Sequence, residues 1–417
     1  HQSTFNDGTN PEAGLENLLS IPGTGPAVAA DIDAPVFSAS ETDAANFEGC
    51  NAWSGTPFSG GVLLVSRGSC NFSVKVDNAE AAGAIAVMVH NNADGPPISM
   101  AGLETTNIPA VMIPRDDGLA ATTFIGNTPG AEVTIPAAIE VLLVEEFGNV
   151  LAAGSLKGPN LDFDVTEPTI NAPGTQILAA NAAGGSADFR FLSGTSMSGP
   201  HIAGAGLLLM SEHPEWTPTE ALSALMMTAD PVGSKPGGAG PTDPDDVGSG
   251  TADLTQASLA GLVMNETFDN FLAANPANGG DPRTLNLPSM RHSTCDPGCS
   301  WTRTVRAARN FDTSWTATVS GDGFDVSVSP TTFDLLDGDV IFRDGAENGN
   351  APNSSFQEIQ ITVSNNTAGN LMRFGELILT EDGAQTPDAR MTISVSQSPP
   401  SPPPPPPPPS PPPLTPT

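Results

Sequence analysis

Three patterns of hydrophobic and polar positions follow one another along the chain. Between residues 28 and 140, apolar runs of strand length (GVLLVS at 61–66, AIAVMV at 84–89, IPAVMI at 108–113) alternate with small-residue stretches. That alternation predicts buried strands interleaved with helices at 73–82 and 115–123. Spaced apolar positions at Val133, Ile135 and Ala137, then a run from Val141 to Val144, lead into the next region, 141–268. Here Ile202, Ala203, Ala205, Leu207, Leu208, Leu209 and Met210 leave no polar side, which predicts a buried helix. A second helix is predicted within 213–229, with Thr217 as N-cap, Pro218 at the first helical position and Glu220 closing a capping box. From 269 to 398 the period falls to two, in WTRTV (301–305), WTATV (315–319), FDVSVSP (324–330), IQITV (359–363), 376–380 and 391–395. Half-buried strands are expected there, with Asp382-Gly383 as a turn. Residues 1–27 show little periodicity and read as a linker or a torn domain edge, while 399–417 are almost all proline and predict a polyproline II tail.

Charge narrows the partners. The 417-residue chain carries 47 acidic against 14 basic residues, a formal net charge of −33. Nucleic acid is not expected as a partner, because phosphate binding needs clustered positive charge. The acidic balance reads instead as a strongly solvated surface or as selection of basic substrates, and charge alone does not choose between them. No apolar run is long enough to span a bilayer. The chain starts at His1 without a hydrophobic signal segment, so it reads as a processed product or a fragment.

Four cysteines fall into two near pairs, Cys50 with Cys70 and Cys295 with Cys299, which favours two local disulfides and a secreted protein. His292 with Cys295 and Cys299 offers three zinc donors but no adjacent fourth, so no metal is assigned. Asp243, Asp245 and Asp246 carry the oxygen donors of a structural calcium site, yet Val247 and Leu254 occupy positions where the EF-hand needs ligands. A solvated loop is expected over 230–254, and no cofactor is assigned beyond leaving structural calcium open. Arginines 283, 291, 303, 306 and 309 are expected at solvated strand positions rather than as a site for an acidic partner.

Candidate chemistry concentrates in FLSGTSMSGPHIAGA, residues 191–205. Ser196 falls on the first turn of the predicted helix, where unpaired N–H groups at the positive end of the macrodipole can stabilise a developing oxyanion. Alone, it fits an ordinary N-cap serine better. The segment Gly194 to Pro200 with His201, however, resembles the serine motif of the subtilisin-like serine proteases. SLKGP (155–159), EPTINAPGTQILAA (167–180) and HPEWTPTEALSALMMTA (213–229) resemble its flanking segments, with Thr169 where that family has aspartate. RGSCNF (67–72), AEAAGAIAVMVHNN (79–92) and IPAVMIP (108–114) resemble the protease-associated (PA) domain inserted into many secreted members. TRTV and VSVSP resemble the fibronectin type III-like domain that follows many of their catalytic domains.

The resemblance implies an α/β fold, the C-terminal half of a subtilisin-like domain, at 141–268. An α+β PA domain at 28–140 and an all-β sandwich at 269–398 complete the expected architecture. It further implies a secreted endopeptidase that cuts protein or peptide substrates through an acyl-enzyme on Ser196. The Ser196 N–H would be half of the oxyanion hole, Gly194 and Thr195 would shape the approach, and Pro200 and His201 would be structural.

A serine nucleophile needs a base, a carboxylate to orient that base, and oxyanion donors. The family's Asp-Ser/Thr-Gly and His-Gly-Thr-His motifs do not occur in this sequence. His201 is five residues beyond Ser196, about 140° around the helix, and points elsewhere. His1, His90, His213 and His292 lie in unrelated contexts, and Ala368-Gly369-Asn370 repeats the family's Ala-Gly-Asn only by chance. In this family the missing groups precede such an insert, so the chain is expected to be inactive alone, its partner being an N-terminal half of the catalytic domain. The competing readings are a non-catalytic binding or adhesion protein built on the PA and β-sandwich domains, and an esterase complete within the chain.

Overall fold

A computed structural model of the chain describes residues 1–139, 148–160, 163–181, 188–337 and 355–398. The expected run at 141–144 and the proline-rich tail at 399–417 lie outside these residues. The chain divides into two compact units: His1–Leu156 with Ala172–Ala203 and Val232–Thr242, and Lys157–Asn171 with Gly204–Pro231 and the chain from Asp243 on.

The first unit is built on strands β1 (Gln2–Asn6), β2 (Leu18–Leu19), β3 (Ile21–Pro22), β4 (Ile32–Ser38), β5 (Val62–Ser66), β6 (Ala86–His90), β7 (Ala110–Ile113) and β8 (Glu132–Ile135). They form one eight-stranded sheet in the order β2-β1-β8-β4-β5-β6-β7-β3. Strands β4 to β7 are parallel, and every residue of β5, β6 and β7 is buried. A parallel strand covered on both faces needs apolar residues at each position, which is why these three read as unbroken runs. Helix α1 (Ala39–Thr42) follows β4. Helix α2 (Phe72–Ala81) sends Val76 and Ala79 into a core with Leu63, Val65, Val87 and Met112. Helix α3 (Arg115–Asn127) places Ala121 among Leu64, Met88, Val111 and Ile113, the alternate side chains and hence the opposite face.

Residues 1–27 are not a linker. Strand β1 pairs with β8 and with β2, β3 pairs with β7, and Phe5 is fully buried. Strands of two to five residues between Gly, Pro and Asn turns are too short to carry a visible period. Strands β9 (Ile177–Asn181) and β10 (Asp188–Leu192) form a separate antiparallel ribbon. Helix α4 (Thr195–Glu212) follows it.

In the second unit, helices α5 (Pro218–Met227), α6 (Pro244–Val247), α7 (Leu254–Ser258) and α8 (Phe268–Ala273) accompany two sheets. The first sheet orders β11 (Leu262–Val263), β13 (Cys299–Ala307), β17 (Phe356–Ser364) and β15 (Asp325–Ser329). The other orders β12 (Ser289–His292), β19 (Ala389–Val395), β18 (Arg373–Glu381), β14 (Thr313–Gly321) and β16 (Thr332–Leu335). Trp301, Val305, Ile359 and Ile361 from one sheet share a core with Trp315, Leu377, Leu379, Met391 and Ile393 from the other, so this part is a β-sandwich. Each alternating segment read from sequence lies on a strand. The short β11, β12 and β16 escape that reading, and β11 lies before residue 269 yet pairs with β13.

Three further expectations are corrected. Arg291 and Arg303 are 3% and 2% exposed, not solvated. Arg291 pairs with Asp245 at 2.6 Å, while Arg303 donates to the carbonyls of Leu287, Thr302, Arg283 and Ser289. Burial pulls the Arg303 guanidinium down to about 10, with Glu266 opposing the shift, and it stays charged at neutrality. The acidic segment is not a solvated loop either. Asp243 caps α6 in a capping box with Asp246, which is buried and paired with Lys157. Both disulfides form, Cys50–Cys70 and Cys295–Cys299, so neither Cys295 nor Cys299 is a thiolate metal ligand.

The apolar run predicts a buried α4, yet Leu207 and Leu208 are 71% and 60% exposed, while Leu209 is buried. An apolar circumference states what a helix must bury to be stable; it does not supply the cover.

Candidate active site

Ser196 is the second residue of α4 and is exposed. The turn before it is held by a compact clamp. Gly194 has φ +152, a conformation L side chains rarely adopt. Its N–H donates to the Gly174 carbonyl at 2.7 Å, and its own carbonyl accepts from Met197 N–H at 2.9 Å and Ser198 N–H at 3.4 Å. The Gln176 N–H donates to Ser193 Oγ at 2.9 Å. A Cβ on Gly174 would run into the Ser198 side chain and lie 2.9 Å from the Gly194 carbonyl oxygen, so this crossing requires glycine.

The first turn of a helix leaves four N–H groups without intrahelical partners. Here these are Gly194 to Met197; Gly194 donates to the Gly174 carbonyl and Met197 to that of Gly194, which among the described residues leaves Thr195 and Ser196 as donors at the positive end of α4. A serine hydroxyl and two backbone donors thus lie together at an exposed helix start. Pro200 sits inside the helix, where it removes one further backbone donor.

Each of the five histidines has a hydrogen-bond partner other than Ser196. His201 Nδ1 donates to the Met197 carbonyl at 2.8 Å. His213 Nε2 lies 3.0 Å from the Ser258 carbonyl, and its ring stacks on Trp216. His90 Nδ1 lies 3.0 Å from the Asn91 carbonyl, His292 Nε2 meets Arg283 Nη1 at 2.5 Å, and His1 Nδ1 lies 3.1 Å from the Ala138 carbonyl. Burial lowers the pKa of His90 and of His292, the latter also through the Arg283 charge. Among the described residues no imidazole or carboxylate hydrogen-bonds to Ser196. Ala368, Gly369 and Asn370 lie in the turn between β17 and β18, where Gly369 N–H donates to Gln397 Oε1.

The reading of single residues missed Gly174 and Ser198, which brace the turn before Ser196. Their signal was the Pro173-Gly174 pair inside EPTINAPGTQILAA, legible only as part of a flanking segment.

A family model described as the PA domain matches residues 23–121. Subtilisin-like protease SBT1.7 of Arabidopsis thaliana is 31% identical over 259 residues, 58% of this chain and 34% of that protein. Subtilisin-like protease SBT4.3 of the same plant is 27% identical across 78% of this chain and 44% of its own length. The minor extracellular protease Vpr of Bacillus subtilis is 28% identical across 53% of this chain and 27% of its own. The chain spans less than half the length of each of these relatives.

Proposed function

We propose that the chain, similar to subtilisin-like proteases and matched by a PA-domain model, is the serine-bearing portion of a secreted endopeptidase. In this reading Ser196 attacks the peptide carbonyl to form an acyl-enzyme. The N–H of Ser196 supplies one oxyanion donor, Gly194 and Thr195 shape the approach, and Pro200 and His201 hold the motif. The observation that carries the reading is the serine turn itself: an exposed hydroxyl beside two N–H groups that are uncommitted among the described residues, braced by the Gly174–Gly194 clamp. The base, its carboxylate and the second oxyanion donor come from an N-terminal half of the catalytic domain, which also covers the apolar residues of α4. Two disulfides support the extracellular setting. The PA domain guides substrate, and the sandwich is the fibronectin type III-like module.

The histidine of a subtilisin triad is worth about 10⁶-fold in kcat, so the chain alone is expected to be inert. A fluorophosphonate probe should leave Ser196 unlabelled in the isolated chain. When the catalytic domain is completed, the probe should label it, and Ser196→Ala should abolish that labelling. Labelling of Ser196 in the isolated chain would overturn the inactivity. A completed domain that hydrolyses casein equally well with Ser196→Ala would overturn the nucleophile.

A further inference from the structure

Four Asn-x-Ser/Thr sequences occur, at Asn71, Asn265, Asn353 and Asn365, and such a sequence is an N-glycan acceptor when it is exposed in an exported chain. Asn353 lies outside the described residues. The other three differ in what their side-chain amides do. Asn365 Nδ2 donates to Asp325 Oδ2 at 2.6 Å. Asn265 Oδ1 accepts from the hydroxyls of both Thr217 and Thr219 at 2.7 Å, which fixes its amide against the start of α5.

Asn71 is different. It is exposed and is the N-cap of α2, with φ −58 and ψ 148. An N-cap asparagine ordinarily spends its side chain on a first-turn N–H. Here the side chain makes no capping hydrogen bond. The neighbouring Phe72 packs against the core and Lys75 is buried, so this end of the helix is anchored by its other residues. A substituent on Asn71 Nδ2 would cost the folded unit neither a cap nor a core contact.

We infer that Asn71 is an N-glycosylation site. The donor is a lipid-pyrophosphate-linked oligosaccharide of the secretory pathway. The bond from Nδ2 to the anomeric carbon forms as that carbon's bond to the pyrophosphate oxygen breaks; the amide loses one proton and the lipid pyrophosphate departs as the anion. The glycan stands beside the Cys50–Cys70 disulfide, one residue from Cys70. This inference rests on the proposed export of the chain, but neither readout below depends on Ser196 chemistry.

The test is expression of the full chain behind a supplied signal sequence in a eukaryotic secretory host, with cell-associated and released protein both collected. Amidase deglycosylation in ¹⁸O water, then reduction and alkylation of the Cys50–Cys70 disulfide, trypsin and mass spectrometry, reads the peptide 68–75. Recovery of Asn71 as ¹⁸O-aspartate in most molecules is expected. Asn71→Gln and Ser73→Ala should each remove one glycan's worth of gel retardation, whereas Asn265→Gln and Asn365→Gln should leave it in place. Ser73→Ala keeps the N-cap residue, which guards against a folding artefact. Peptide 68–75 with unmodified Asn71 in protein that has passed through the pathway overturns the inference, whichever other asparagines are occupied.

Discussion

His90 sits at the end of a wholly buried strand, and Gly118 of α3 lies so close that any Cβ there would meet its side chain. The burial that this crossing enforces lowers the imidazole pKa, with the contact to the Asn91 carbonyl opposing the shift. A histidine whose folded pKa lies below its unfolded value takes up its proton first in the unfolded chain. Its contribution to stability is therefore complete above the unfolded value, about 6.5, and is lost as pH falls below it. Chemical denaturation of wild type and His90→Gln between pH 7.5 and 5.5 should show wild type losing more, with an excess slope of at most about 1.4 kcal/mol per pH unit. Subtracting the variant removes the common response of the many carboxylates. Parallel pH profiles would mean that the neutral ring is not required.

Helix α5 shows what local sequence specifies and where it stops. The Thr217 side chain accepts from the Glu220 N–H at 3.2 Å, and Glu220 Oε2 accepts from the Thr217 N–H at 2.8 Å, completing the box read from the sequence. Glu220 Oε1 also accepts from Arg306 Nε at 2.7 Å, with the two side chains 4% and 13% exposed. Thr217→Ala should cost about 1 kcal/mol, the usual worth of an N-cap. Glu220→Ala should cost about 3–5 kcal/mol, because it strands a largely buried guanidinium as well. Urea midpoints at unchanged slope check both, and adding Arg306→Met to Glu220→Ala should recover part of the loss. The box was legible because its partners are three residues apart; the ion pair was not, because its partners are 86 apart. The same contrast governs the rest of the chain. Strands β5, β6 and β7 announced themselves because burial on both faces demands unbroken apolar runs, whereas β1, β2, β3 and β11 owe their place to pairing with distant segments. At the candidate site Ser196 was legible from its motif. The bracing by Gly174 depends on a backbone crossing between segments twenty residues apart, which no local pattern encodes.

At the scale of the whole molecule, two surface properties oppose each other. The exposed Leu207 and Leu208 favour burial against any apolar partner, including another copy of the chain. The net charge of −33 keeps copies apart by like-charge repulsion. The two differ in their response to salt. The screening length shrinks from about 10 Å at 0.1 M to about 3 Å at 1 M, so added salt removes the repulsion while leaving the apolar attraction intact. Sedimentation of the chain should therefore show monomers at low ionic strength and growing association as sodium chloride approaches 1 M. Leu207→Gln with Leu208→Gln should suppress most of that association, since each leucine contributes roughly 1.5–3 kcal/mol when buried. Both residues lie on one helix and outside any core, so the double variant should keep the parent's unfolding transition. On the proposed function, completing the catalytic domain should produce the same suppression by covering α4. If the double variant associates with salt exactly as the parent does, another surface drives the contact, and the exposed face of α4 is not the one awaiting a partner.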